Sequence, residues 1–289
     1  MDLNQLYWLL KLGRPKHRAT IYDIRNDVPG FVKNPVFFLS TGRCGTKWFS
    51  DLLQRDRSLA VFHQPVPSLA LQGRKIYEFL AKEGGKLTEK EKSMIKELFW
   101  AAREDHIRYT YKTGKRYLET NNYITFFAPV LAEIFPDARF VHLVRHPGEF
   151  VRSGMSRKYY TETTMDRVRL SPVDEEMKSS WNSMGRLSKT AWLWNETNSR
   201  IEEMLENMPV SQQTRFIIND MSTASVQDLL TFLDISIPEH LIKKQLPKKK
   251  NTQRHTLDPF SSWKESEKQE VTEITSGLAE KYGFSLRNK

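Results

Sequence analysis

At 289 residues, with 39% hydrophobic and 28% charged side chains, the chain is long enough to bury a sizeable core, which rules out a disordered or fibrous protein. Its 45 Lys and Arg outnumber 35 Asp and Glu, and the formal charge of +10 favours anionic partners such as nucleotides, acidic glycans or membrane surfaces. A single cysteine, Cys44, excludes an intramolecular disulfide and fits a reducing, cytoplasmic setting.

The apolar patch Leu6, Tyr7, Trp8, Leu9 and Leu10 is followed by Lys11, Arg14, Lys16 and Arg18. It is too short to span a bilayer, and its charges follow the apolar residues, the reverse of a secretory signal. An N-terminal helix over 1–18 that docks on the core is expected, with peripheral contact at the inner membrane surface as the alternative.

Val36-Phe37-Phe38-Leu39 reads as a buried parallel strand running into a helix with Trp48, Leu52 and Leu53 on one face and Asp51, Gln54 and Arg55 on the other. A second strand at Leu59–Phe62 is cut off by Pro65 and Pro67. The following helical pattern breaks at Gly84-Gly85, and 64–112 reads as a helical insertion or lid. Tyr117-Leu118 end a third strand, and Ile124, Phe127, Leu131 and Ile134 mark a helix that stops at Pro136.

Arg139–Val144 is the clearest strand, with Pro147 at a first helical position. Trp181, Met184, Leu187, Ala191, Trp194, Ile201, Met204 and Met208 predict one long amphipathic helix, followed by a strand at Phe216-Ile217-Ile218. A basic C-terminal loop over 243–262 precedes a last helix from about 263 to 282. No linker divides the chain, so a single domain over 1–289 is expected: α/β, a three-layer α/β/α sandwich with a mainly parallel central sheet.

Between the first strand and its helix lies Ser40-Thr41-Gly42-Arg43-Cys44-Gly45-Thr46-Lys47. Gly42 and Gly45 permit positive-φ turns that converge backbone N–H groups on a helix N-terminus, a nest for phosphate. Arg43 and Lys47 add cations where anions are already favoured. Only two residues separate Gly42 from Gly45, so this is not a Walker A loop. A second phosphate-directed element follows the fourth strand: Arg145 at its end, His146-Pro147, and Ser153 eight residues after Arg145. A guanidinium fork and a hydroxyl both donate to phosphate oxygens.

Arg43 through Trp48 resemble the 5′-phosphosulfate loop of sulfotransferases, with Cys44 at the small-residue position, and Arg145 with Ser153 resemble the pair that holds the 3′-phosphate. The resemblance runs over about 35–157. It implies a P-loop NTPase-like fold and transfer of a sulfuryl group from 3′-phosphoadenosine 5′-phosphosulfate (PAPS), without a metal, to a hydroxyl or amine of a small-molecule or glycan acceptor. Thr41, Gly42, Arg43, Cys44, Gly45, Thr46, Lys47, Trp48, Arg145 and Ser153 would bind the nucleotide, Arg43 and Lys47 would neutralise the departing phosphate, and Lys250 or Arg254 would close over it.

His63 stands where related sulfotransferases place a base, although Gln64 replaces the Glu of many relatives; Glu119, at the end of the third strand, is the alternative base. The stretches 64–108 and 158–177 are expected to shape the acceptor pocket. His142 and His146 straddle a strand end, so packing and loop structure are expected of them rather than metal binding. A P-loop kinase is the nearest rival, disfavoured because Arg145 ends the fourth strand where an Asp would hold magnesium. No nucleic-acid-binding signature accompanies the charge, so a nucleic-acid partner is not expected.

Overall fold

The computed structural model describes residues 21–82, 84–248 and 257–286. The expected helix over 1–18, together with Lys249, Lys250 and Arg254, lies outside the described residues.

Two short helices, α1 (Ile21–Asn26) and α2 (Val28–Phe31), lead into β1 (Val36–Leu39), and α3 (Thr46–Leu53) follows the loop after it. β2 (Leu59–Phe62) then connects through α4 (Ala70–Lys82) and α5 (Glu89–Thr113) to β3 (Arg116–Glu119). After a 3₁₀ turn over Asn122–Phe127 come α6 (Ala128–Ile134), β4 (Arg139–Val144) and α7 (Pro147–Ser156). The chain continues through α8 (Glu175–Trp181), α9 (Arg186–Glu206), β5 (Gln213–Ile217), α10 (Thr223–Phe232), α11 (Glu239–Gln245) and α12 (Glu265–Lys281).

The five strands form one parallel sheet in the order β2-β3-β1-β4-β5. β1 lies centrally, with Phe37 opposite Phe140 and Leu39 opposite His142. Side-chain alternation divides the interior into two layers. Phe37, Leu39, Phe140 and Val144 face a core completed by Phe99 and Trp194, whereas Val36, Phe38, Val141 and Leu143 face one completed by Phe49, Leu52 and Leu229. Because both faces are covered, β1 is a continuous apolar run; burying each of its phenylalanines contributes about 1.5–3 kcal/mol. The chain reverses its direction of winding at β1, and the crevice beyond the carboxyl ends of the strands is where such sheets bind ligands.

The segment 64–112, expected to be helical, forms the β2-to-β3 crossover: α5, started by a Thr88–Glu91 capping box and ended by Gly114 in the left-handed region, buries Ile95, Phe99 and Ile107 in the core. Two expectations are corrected. The long helix expected from Trp181 to Met208 is interrupted, because Gly185 takes an extended ψ of 157° and α9 starts after it. Trp181 still packs 5.0 Å from Trp192, which preserves the apolar spacing across the break. β5 begins at Gln213, earlier than expected, because an edge strand tolerates the exposed polar side chains that hid its start.

Candidate active site

The loop after β1 is held from below by Ser40, whose amide donates to Thr125 Oγ1 (3.1 Å) and whose hydroxyl accepts from the Gly42 amide (3.0 Å). Gly42, Arg43 and Gly45 all lie in the left-handed region, at φ 74°, 60° and 78°. Glycine accepts that conformation freely; for Arg43 it is strained, and such strain collects where a side chain must be aimed. Gly45 caps α3, whose first-turn amides have no acceptor within the helix. Cys44 is buried, donates its thiol hydrogen to the Gly42 carbonyl (3.1 Å), and has its pKa pushed up by burial, so it serves the loop's shape rather than chemistry.

The two phosphate-directed elements meet. Arg43 Nε donates to Ser153 Oγ on α7 (3.2 Å), and Arg145 Nη1 donates to the Arg43 carbonyl (3.1 Å). Arg145 is fixed further by the Trp194 indole, which donates to its carbonyl (2.8 Å), and by Glu149 (3.4 Å). Burial holds Arg43 below its ordinary pKa, and the positive charges of Arg157 and Arg145 press the same way. Half-buried cations that repel one another are best relieved by a polyanion.

A cavity of about 360 Å³ opens beside this loop, lined by Thr41, Gly42, Arg43 and Thr46 at one end and by His63 at its side. His63 Nδ1 lies 2.9 Å from the Thr120 carbonyl and 3.0 Å from its hydroxyl. A carbonyl only accepts, so the proton sits on Nδ1 and Nε2 carries a lone pair. Burial lowers the His63 pKa and the Lys47 charge lowers it further, against the opposing Thr120 bond, so the ring holds its neutral form to lower pH than a free imidazole. Lys47 itself pairs with Asp51 one turn along α3.

Glu119 does not fit the role of alternative base. It is fully buried and accepts from Arg103 Nε and Nη2, the Tyr117 hydroxyl (2.6 Å) and Asn121 Nδ2 (2.9 Å). Gln64 lines the cavity and donates to Asn122 Oδ1 (3.2 Å). Trp48, read as a nucleotide contact, is buried under α11, its indole donating to the Gln245 carbonyl (3.0 Å), and does not line the cavity. His142 bonds Asn198 (2.9 Å), and His146 caps α7 by accepting from the Gly148 amide (3.1 Å). Among the described residues no group of three or more His, Cys, Asp or Glu is placed to hold a metal, and no helix is long and apolar enough to cross a membrane.

Both stretches expected to shape a pocket reach the cavity, through Ala70 and Arg74 from the first and Tyr159 and Leu170 from the second. Arg157 and Arg169 also line it and were not singled out in the sequence; the one available signal is the run of arginines at 152, 157, 167 and 169.

No curated protein sequence matches the chain. Among solved structures, the sulfotransferase domain of the Synechococcus PCC 7002 olefin synthase is 15% identical over 94% of this chain and 98% of its own, with a TM-score of 0.51. Sulfotransferase STF9 from Mycobacterium avium is 13% identical over 93% of this chain and 82% of its own, with a TM-score of 0.52. At such identities these likenesses concern the fold. Residues 35–239 match the profile of the Sulfotransferase family, which spans both phosphate-directed elements and His63; the chain belongs to that family and is a sulfotransferase.

Proposed function

We propose that the donor is PAPS, that Arg43 and the loop amides hold its 5′-phosphosulfate, and that Arg145 and Ser153 hold its 3′-phosphate. The observation that carries this reading is the Arg43–Ser153 bond, together with the bond from Arg145 to the Arg43 carbonyl: donors for two phosphate groups form one continuous cationic site. PAPS supplies an activated sulfuryl group. His63 Nε2 takes the proton of the acceptor hydroxyl or amine as the new bond to sulfur forms, and the electron pair of the broken S–O bond leaves on the 5′-phosphate. Arg43 meets the charge that develops there, with Lys47 in the first turn of α3 as a second cation. The Thr120 contacts fix the His63 tautomer for this role.

The test is sulfuryl transfer from PAPS to a panel of hydroxylated and aminated aromatic and sugar acceptors, with a metal chelator present. Transfer is expected to persist with chelator. Because the His63 pKa is lowered, kcat/KM should climb with pH to a plateau whose apparent pKa lies below about 6.5. His63→Gln should remove that acidic limb and cost about 10²- to 10⁴-fold in kcat. Absence of transfer from PAPS, with phosphoryl transfer from magnesium-ATP in its place, would overturn the proposal.

A further inference from the structure

We infer that the acceptor carries an oxyanion, a carboxylate or a phosphate or sulfate ester, and that Arg169 is the residue that recognises it; the inference rests on the sulfotransferase reading of the cavity. Four guanidinium groups line the cavity, those of Arg43, Arg74, Arg157 and Arg169, and among the described residues no Asp or Glu lines it. Two of these cations have other work. Arg43 belongs to the donor loop, and Arg74 spends all three nitrogens on Glu78, the Arg167 carbonyl and Ser171, clamping the 167–171 strip to α4.

Arg169 is arranged differently. Its guanidinium lies 3.5 Å from the centroid of the Tyr159 ring, a cation–π stack, and Nε donates to Asp166 Oδ1 (2.8 Å). Among the described residues, no group accepts a hydrogen bond from either of its Nη atoms. Held on one face by a ring and on one edge by a carboxylate, the guanidinium keeps a preorganised fork of donors at the cavity wall, the geometry that suits planar or tetrahedral oxyanions.

The support beneath Arg169 is itself locked. Asp166 accepts the amides of Tyr160, Thr161 and Thr163 at 2.9 to 3.0 Å, which holds its carboxyl below the ordinary range despite burial. Tyr159 is nearly buried against Gly154, where an added Cβ would come within 2.9 Å of the ring. Lys158, Tyr160 and Glu162 all take positive φ in this turn, a concentration of strain that fits a segment shaped to present a ligand-binding group. Phe126, Leu170 and Leu193 supply an apolar wall, and His63 lines the same cavity, so the acceptor pairs an apolar body with an anionic group set apart from the sulfated hydroxyl.

The test uses protein saturated with adenosine 3′,5′-bisphosphate and titrated calorimetrically with probes of matched shape: 4-hydroxyphenylacetate, 4-hydroxybenzyl phosphate, 4-ethylphenol and tyramine. At least one anionic probe should bind about ten- to hundredfold more tightly than the neutral and cationic ones, the carboxylate and phosphate arms showing which oxyanion is preferred. Arg169→Gln should erase the preference, and Arg169→Lys, which keeps the charge without the fork, should restore only part of it. An unchanged bisphosphate affinity in both variants certifies the fold. Equal affinity across the four probes, preference for tyramine, no millimolar binding by either anion, or an undiminished preference in Arg169→Gln would overturn the inference. Failure of the protein to bind the bisphosphate would instead sink the sulfotransferase reading of the cavity, and this inference with it.

Discussion

Glu119→Ala lowers the stability of the fold by about 3–5 kcal/mol in urea unfolding, the largest stability effect expected of a single substitution. Glu119 and Arg103 are both fully buried, and the guanidinium makes three hydrogen bonds to the carboxylate, two from Nε and one from Nη2. Removing the acid leaves a positive charge stranded in the interior. Burial alone would lower the Arg103 pKa, but Glu119 raises it overall, so Arg103 remains charged in the folded protein. The double variant Arg103→Met/Glu119→Leu should recover part of the loss, because it removes both charges while keeping volume but takes the partner from the Tyr117 hydroxyl and one bond each from Asn121 and the Pro67 carbonyl. The pair also organises the site: Arg103 Nη1 holds the Pro67 carbonyl (2.7 Å), and Asn121, bonded to Glu119, flanks the Thr120 that orients His63. Loss of stability should therefore come with slower turnover. A change within about 1 kcal/mol would show that the pair is not the buried, mutually dependent unit described above.

Arg43→Met should lower kcat by about 10²- to 10³-fold, the effect of removing one preorganised donor from a developing negative charge. Arg43 is positioned from three directions: by the left-handed backbone at its own Cα, by Arg145 Nη1 on its carbonyl and by Ser153 on its Nε. Arg43→Lys keeps the charge but loses the planar fork, so it should retain part of the activity. Ser153→Ala removes one hydroxyl donor and should act mainly on nucleotide affinity, by about tenfold. Steady-state kinetics with PAPS varied at saturating acceptor separates these effects. A kcat for Arg43→Met within about threefold of the parent would remove Arg43 from the chemistry.

β1, β2 and β4 were legible because each is a short, largely apolar run followed within three residues by Gly, Pro or a basic residue, and all three fall where those signals place them, whereas β3, between β2 and β1, carries Arg116 and Glu119 and gave only a partial signal. Sequence reading failed where tertiary contacts override local pattern. Nothing around Arg103 announces that it is buried, since its partner Glu119 lies on another element and only the crossover brings them together. The break at Gly185 was hidden because the apolar spacing continues through it.

Arg43, Arg145 and Ser153, which the fold brings together, stood out in the sequence by their offsets from strand ends, and His63, which lines the cavity, by the family resemblance. Arg157 and Arg169 were invisible for the opposite reason. Their place at the cavity is set by an irregular turn built on Asp166, and such turns leave no periodic trace.

The most direct test of the central claim, that one nucleotide bridges the loop after β1 and the start of α7, is calorimetric titration with adenosine 3′,5′-bisphosphate, 5′-AMP and ATP, each without metal and again with magnesium. The account predicts that the bisphosphate binds at least about tenfold more tightly than 5′-AMP and that Arg145→Met erases the difference. Equal affinity for the bisphosphate and 5′-AMP, or tight binding only of ATP and only with magnesium, would contradict it.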